Sequence, residues 1–153
     1  MILVGYDLDG TLCKKSSIDK KWGYCNKAER RAFNAIREHH YKTAEILRTP
    51  LERRYYIITS RSPKYAKITL QWLNKGGLEP VEIFFIDRAR TRPNMIEYKS
   101  SKINELKLKK YYEDDPKIVK SLTRKCHNTE IILVESVTTD YNIKNFLQPP
   151  LQI

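Results

Sequence analysis

Two aspartates near the amino terminus are the side chains of this sequence best placed to do chemistry. They stand in the run Asp7-Leu8-Asp9-Gly10-Thr11, after the apolar stretch Met1–Tyr6, which predicts a buried strand that ends in two carboxylates and a glycine turn. Side chains at positions i and i+2 of an extended chain point the same way, so Asp7 and Asp9 are expected to share one cavity. Two crowded carboxylates repel each other unless a cation or a shared proton relieves them. The pair therefore favours a magnesium site with a nucleophile and an acid beside it.

The elements that must position this pair alternate along the chain. Strands are predicted at Ile2–Tyr6, Tyr55–Ile58, Val81–Ile86, Lys109–Tyr112 and Ile131–Val134. Helices are predicted at Lys27–Leu47, from Ser62-Pro63 to Gly76, from Ser100 or Ser101 through Ile103 and Leu106, and from Pro116 onward. This order predicts an α/β fold with a central five-stranded, mainly parallel sheet and helices on both faces. Ligands bind beyond the carboxyl ends of such strands, where Asp7, Thr59 and the run Glu113-Asp114-Asp115 stand.

Length, charge and cysteine content narrow the class of protein. The 153 residues predict one domain, spanning 1–147, with 13–26 as a flap or loop and 148–153 as an irregular tail. The net charge of +11 favours polyanionic partners, either nucleic acid or phosphorylated small molecules. Three cysteines without a C-x-x-C pair favour a reducing, cytoplasmic location. No run approaches the roughly 18 apolar residues of a membrane helix, and the sequence leaves the oligomeric state open.

Four motifs in order resemble those of the haloacid dehalogenase (HAD) superfamily of phosphotransferases. The D-x-D-G-T run is followed by Thr59 at the end of the next apolar strand, by a lysine at Lys99 or Lys102, and by the acidic run Glu113-Asp114-Asp115. The resemblance extends from Ile2 to about Val134 and implies a three-layer α/β/α, Rossmann-like HAD fold. Only about 45 residues separate Thr11 from Tyr56, too few for a helix and a folded cap, so no large cap domain is expected.

The resemblance implies a catalytic role for each of these residues. Asp7 would be the nucleophile that forms an aspartyl-phosphate, and Asp9 would protonate the leaving oxygen and later accept a proton from water. An acid of this kind needs a raised pKa, which burial and neighbouring carboxylates can supply. Thr59 would hydrogen-bond a phosphoryl oxygen. Lys99, or alternatively Lys102, would neutralise charge on Asp7 and on the transferring group.

The same resemblance implies a metal site and a substrate-binding surface. Mg²⁺ would be held by the Asp7 side chain, the Asp9 backbone carbonyl and Asp114, or by Asp115 if the acidic run is shifted by one residue. The remaining substrate-binding candidates are Gly10, Thr11, Ser60, Arg61 and Arg88.

An open site and a basic charge together predict the substrate. The sequence predicts a Mg²⁺-dependent phosphomonoesterase, a hydrolase acting on 3′-phosphates of DNA or RNA ends, or on nucleotides. The segment from Thr59 to Lys99 also resembles the phosphatase half of polynucleotide kinase/phosphatases, which makes Arg61, Arg88, Arg90 and Arg92 candidate contacts to a nucleic-acid backbone. A basic flap would add Lys14, Lys15, Lys20, Lys21 and Trp22. Two alternatives stay open: a small-molecule phosphatase closed by oligomerisation, and a non-catalytic basic protein that binds nucleic acid.

Overall fold

A computed structural model describes residues 3–20 and 26–147, without the side chains of residues 19 and 20. Its strands, in chain order, are β1 (Val4–Tyr6), β2 (Lys15–Ser16), β3 (Tyr56–Thr59), β4 (Glu82–Phe85), β5 (Lys110–Glu113), β6 (Glu130–Leu133) and β7 (Thr138–Thr139). Its helices are α1 (Lys27–Thr43), α2 (Ala66–Lys75), α3 (Arg92–Glu105) and α4 (Pro116–Lys125). The predicted residues Ile2, Lys21, Trp22 and the tail 148–153 lie outside the described part.

Five of the strands form one sheet in the order β4-β3-β1-β5-β6, and every pairing in it is parallel. β1 therefore occupies the centre, with β3 on one side and β5 on the other. The separate β2–β7 pair is also parallel. The predicted α/β fold with a five-stranded sheet is confirmed, and the strand ends differ from the predicted ones by only one or two residues.

Neighbouring residues of β3 show how the sheet is covered on both faces. Successive strand residues point to opposite faces, and Ile57 lies in one core cluster while Ile58 lies in another. The first cluster includes Trp72 of α2, and the second includes Ile103 of α3 and Leu122 of α4. The helices thus cover both faces, which gives the three-layer α/β/α arrangement.

Two helix boundaries differ from the prediction. α1 ends at Thr43 rather than Leu47, because the following residues pair with the loop after β1: Lys14 N–H donates to the Glu45 carbonyl (3.1 Å) and Leu47 N–H to the Leu12 carbonyl (2.8 Å). α3 begins at Arg92 rather than near Ser100, because Thr91 caps it by accepting a hydrogen bond from the Asn94 amide.

The segment predicted as a flap at 13–26 is tied to the domain in its described part. β2 pairs with β7, and Lys15 N–H donates to the Val137 carbonyl (2.8 Å). Ser17–Lys20 forms a short 3-10 turn. Across the described ranges, none of the helices has both the length and the apolar character needed to cross a bilayer.

Candidate active site

The carboxyl end of the central strand places Asp7 in the interior of the site. Its backbone N–H donates to the Tyr112 carbonyl (2.9 Å), which continues the β1–β5 ladder by one residue. The residue is only 5% exposed. Lys99 Nζ donates to Asp7 Oδ1 (2.9 Å), and Thr11 Oγ1 lies 3.4 Å from Asp7 Oδ2. The strand fixes the backbone of Asp7, and the two donors fix its carboxylate.

Of the two candidate lysines, the structure brings Lys99 to Asp7. Lys99 is buried in α3, and its ammonium also lies 3.1 Å from Glu113 Oε2. Burial opposes the charged form, but the carboxylates of Asp7 and Glu113 outweigh it and hold the pKa of Lys99 well above its usual value. Lys102, one turn further along, pairs with Glu105 at the surface.

The three carboxylates of the acidic run at the end of β5 make two different kinds of contact. Glu113 and Asp114 are buried and face Asp7, and carboxylate oxygens of these three residues all lie within 4.8 Å of one another. Asp115 instead caps α4, accepting a hydrogen bond from the Lys117 amide (2.9 Å). The structure thus brings Asp114, rather than Asp115, to the cluster.

The crowding of these carboxylates raises their affinity for protons. Burial, followed by the charge of Asp7, raises the pKa of Glu113 well above its usual value. Burial and Asp7 also raise the pKa of Asp114 to about 7, against the opposing effect of Lys15. A group of carboxylates that resists ionisation is stabilised when a cation binds among them.

The cluster of Asp7, Glu113 and Asp114 fits a magnesium ion. Its donors are hard carboxylate oxygens, the type that Mg²⁺ prefers, and all three side chains are buried. Asp7 and Asp114 would hold the ion there. The Asp9 carboxylate is not part of this cluster, so any contribution of Asp9 would come through its backbone carbonyl, as the resemblance implies.

Asp9 is instead paired with a buried arginine. Arg61 Nε donates to Asp9 Oδ2 (2.9 Å) and Arg61 Nη2 to Asp9 Oδ1 (2.7 Å). The guanidinium is fully buried over the ring of Tyr41, 3.7 Å from its centroid, and donates to Thr69 Oγ1 (3.0 Å). Burial favours the neutral form of Asp9, but Arg61 outweighs it and holds the pKa of Asp9 far below its usual range.

This pair corrects two sequence-based expectations. The expectation that Asp9 has a raised pKa is wrong, because the bidentate arginine stabilises the carboxylate more than burial destabilises it. Arg61, predicted to contact substrate, lies beneath Asp9 with 1% of its surface exposed. The structure therefore places it as a partner of Asp9 rather than on the rim of the cleft.

Thr59 and Ser60 follow β3 at the same edge of the sheet. Thr59 is fully buried, and its Oγ1 accepts a hydrogen bond from the Arg61 amide (3.1 Å). Ser60 lines the cleft. The Thr59 hydroxyl thus supports the turn that presents Ser60 and Arg61.

A cleft of about 190 Å³ opens above these groups. Both Asp7 and Asp9 line it, as expected from their spacing, and so do Lys15, Arg90 and Arg92. Arg88 does not line it: this side chain pairs with Asp87 (2.7 Å) and Glu97 (3.6 Å). The cationic rim predicted from sequence therefore includes Arg90 and Arg92, and the predicted Arg88 contact is not supported by the lining of the cleft.

Lys15 and Gly10 both lie close to Asp114, which the sequence did not predict. Lys15 Nζ lies 2.6 Å from Asp114 Oδ2. Gly10 makes room for this contact: it has a φ of +85°, and an added Cβ would stand 2.6 Å from Asp114 Cγ and 2.9 Å from Lys15 Cε. The only signal for Lys15 was its place in a basic segment, which does not reveal a specific partner.

Two solved structures are similar to this chain, and the first of them supports the fold. A chain in the structure of the Pnkp1/Rnl/Hen1 RNA repair complex is similar with a TM-score of 0.56 at 15% identity, covering 89% of this chain and 43% of that chain. The HAD domain of effector protein Lem4 from Legionella pneumophila, an inactive mutant, gives a TM-score of 0.49 at 13% identity, covering 95% and 90%. No protein-family model and no curated protein matches the sequence.

The chain has a three-layer α/β/α fold similar to that of part of the repair-complex chain. It spans less than half the length of the repair-complex chain, and similarity at this level of identity establishes the fold alone. Within this fold, the carboxyl ends of β1, β3 and β5 bring Asp7, Thr59 and Glu113 to one edge of the sheet. This is the edge at which parallel α/β sheets bind their ligands.

Proposed function

We propose that this chain is a Mg²⁺-dependent phosphomonoesterase that works through an aspartyl-phosphate on Asp7. One observation carries the proposal: a buried carboxylate at the end of the central strand is held by Lys99 and grouped with Glu113 and Asp114 beneath an open cleft. A nucleophile, a fixed cation and a divalent-cation site are the parts that phosphoryl transfer requires.

In the first step a carboxylate oxygen of Asp7 attacks phosphorus, and the bond from phosphorus to the leaving oxygen breaks. Lys99 holds Asp7 in place and offsets negative charge on the transferring group. When bound, Mg²⁺ would supply further neutralisation of the phosphoryl oxygens. Ser60 lines the cleft, where its hydroxyl would receive those oxygens.

In the second step water attacks phosphorus, and the bond from phosphorus to the Asp7 oxygen breaks, which releases phosphate and restores the carboxylate. Asp9 is ionised through its pairing with Arg61, so it can accept the proton that the attacking water loses, although the same pairing makes it a weak base. The same pairing opposes proton donation to the leaving oxygen in the first step. The strongly basic oxygen that leaves a nucleic-acid 3′-phosphate would therefore take its proton from solvent at the open cleft, whereas a weakly basic leaving group, such as that of an aryl phosphate, needs none.

Phosphorylated nucleic-acid ends are the substrate class that we favour, with the 3′-phosphate of DNA or RNA first and nucleotides next. Support comes from the net charge of +11 and from the arginines at 90 and 92 on the rim of the cleft. One structural neighbour belongs to an RNA repair complex. We also propose that the catalytic unit is a single domain over 1–147 without a large cap, which would let the end of a polymer enter.

A panel of phosphate-release assays tests the proposal. The substrates are 4-nitrophenyl phosphate, mononucleotides, and DNA and RNA oligonucleotides with a 3′-phosphate, each with Mg²⁺ and with EDTA. Asp7→Asn should abolish turnover, while the surface control Asp87→Asn should retain it. Rapid quench and mass spectrometry should find one added phosphoryl group on Asp7.

The panel separates the proposal from its alternatives. Folded protein that releases no phosphate from any monoester would contradict the enzymatic proposal and leave a nucleic-acid-binding protein, whose affinity would be salt-sensitive and unchanged by Asp7→Asn. Faster turnover of mononucleotides than of oligonucleotides would contradict only the choice of polymer ends. In that case a small-molecule phosphatase closed by oligomerisation would be favoured.

A further inference from the structure

We propose that Lys15 is an exchangeable counter-ion of the acidic cluster: its ammonium occupies the Asp114 side of the cluster and is displaced when a divalent cation binds. This inference rests on the metal site of the proposed function, and it concerns how that site is controlled. It predicts that the chain sets its own affinity for metal through one side chain outside the ligand set.

The position of Lys15 supports competition with a cation. Its ammonium lies 2.6 Å from Asp114 Oδ2, and Asp114 has 3% of its side chain exposed. A hard divalent ion held by Asp7 and Asp114 would compete with this ammonium for the Asp114 carboxylate. The lysine stem passes close to Gly10, which has no side chain to block it.

The charges of the cluster also favour exchange over simultaneous binding. Three carboxylates, those of Asp7, Glu113 and Asp114, face two ammonium groups, those of Lys99 and Lys15. When all three carboxylates are ionised, as they would be around a divalent cation, one negative charge is left over. A divalent ion added beside both lysines would leave one positive charge in excess, whereas a divalent ion that replaces Lys15 leaves the cluster neutral. In a buried site, where charges interact strongly, the neutral arrangement is the more stable one.

The backbone around Lys15 is fixed, so the exchange involves the side chain alone. Lys15 N–H is bonded to the Val137 carbonyl through the β2–β7 pair. The preceding carbonyl, that of Lys14, accepts a hydrogen bond from His40 Nε2 (2.8 Å). Because Lys15 lines the cleft, a displaced ammonium stays near its mouth, where it can meet the phosphate of an incoming substrate.

Lys14 provides a matched control. Both lysines have 27% of the side chain exposed, but Lys14 pairs with Glu45 (2.7 Å) outside the cluster. Substituting either lysine removes one positive charge from the same segment. Only substitution of Lys15 removes the competitor at Asp114.

Isothermal titration calorimetry with Mg²⁺ alone, at fixed pH and ionic strength, tests the exchange. Lys15→Met and Lys15→Gln should bind Mg²⁺ about tenfold more tightly than the wild type, the effect of losing a charge-assisted contact. Lys14→Met should stay within about twofold, since it loses only a screened charge. Asp114→Asn should lose binding, which locates the site.

Lysine labelling of the wild-type protein gives a second readout that needs no variant. Acetylation followed by mass spectrometry should show Lys15 becoming more reactive on addition of Mg²⁺, while Lys14 is unchanged. Equal Mg²⁺ affinity in Lys15→Met and Lys14→Met, or Lys15 labelling that Mg²⁺ does not change, would overturn the exchange and leave the metal site intact. Absence of Mg²⁺ binding in the wild type and in both Lys15 variants would overturn the metal site as well.

Discussion

The pairing of Arg61 with Asp9 makes a sharp prediction about stability. Arg61→Met keeps most of the aliphatic stem but removes the guanidinium, and it leaves the Asp9 carboxylate at the protein interior without its bidentate partner. The exposed fractions of the two side chains are 0% and 16%. Removal of one partner from a buried ion pair costs about 3–5 kcal/mol, and the partial exposure of Asp9 favours the lower end. For a domain of this size, about 3 kcal/mol lowers Tm by roughly 6–12 °C.

The cost should depend on pH in a defined direction. The folded-state pKa of Asp9 lies below the unfolded value of about 4, so in the wild type the pair contributes fully above that pH and is lost only as pH falls through the folded pKa. Without Arg61, the leading effect on Asp9 is burial, which raises its pKa against the smaller opposing effects of Arg90 and His40. The difference in stability between the wild type and Arg61→Met should therefore widen from pH 4 to pH 7.

A double-mutant cycle measures this pair directly. Urea unfolding of the wild type, Arg61→Met, Asp9→Asn and the double variant should give a coupling energy of about 2–3 kcal/mol at pH 7. The cycle cancels the separate loss of the contacts of Arg61 with Tyr41 and Thr69. A coupling energy near zero, or a cost that does not change between pH 4 and pH 7, would refute the account of Asp9 as a carboxylate stabilised by Arg61.

Three further predictions concern the site and its frame. Lys99→Met should reduce kcat on 4-nitrophenyl phosphate by about 100-fold or more, whereas Lys102→Met, at the surface, should leave kcat nearly unchanged. Equal losses of kcat would contradict the choice of Lys99 as the lysine that assists Asp7. In EDTA, the raised pKa of Asp114 makes its contribution to stability greatest below about pH 4, and this contribution is lost as pH rises through about 7. Urea unfolding of the wild type should therefore show a free energy of unfolding that declines between pH 5 and 8, and Asp114→Asn should flatten that decline. An unchanged slope in the variant would count against the raised pKa. An alanine in a left-handed conformation costs about 1–2 kcal/mol, and Gly10→Ala should cost more than this, because its Cβ meets Asp114 and Lys15. Gly77→Ala, at φ +71° with nothing within 4 Å, should cost only the backbone strain. Equal losses of stability in thermal unfolding would show that the crowding at Gly10 is relieved freely.

The elements of the fold follow from local patterns in the sequence. Apolar runs predicted each strand of the main sheet to within one or two residues, and a parallel sheet then required their carboxyl ends to meet at one edge. The start of α3 also had a local signal, the cap Thr91 followed by Pro93 at the start of the helix. The apolar periodicity did not indicate this start, because Lys99 and Ser100 are polar residues that lie on the inner face of the helix.

The partners of the charged groups could not be predicted in this way. Asp9 and Arg61 are separated by 52 residues, and the fold rather than the local sequence decides that the guanidinium reaches inward instead of toward substrate. The end of α1 depended likewise on pairing with the distant loop at Leu12. Motif order predicts which residues meet at the sheet edge, but packing decides which charge each of them neutralises.

The central place of β1 has a consequence for how this site can change. A strand paired on both sides opens only when the sheet itself comes apart, so Asp7, the nucleophile of the proposed function, rests on the least yielding part of the molecule. Arg90 lies in the exposed segment before α3, and Arg92 is the exposed first residue of that helix. Residues at such positions tolerate replacement far better than a central strand does. In the proposed enzyme, the substrate could thus be changed by substitutions on the rim, while Asp7 keeps its position.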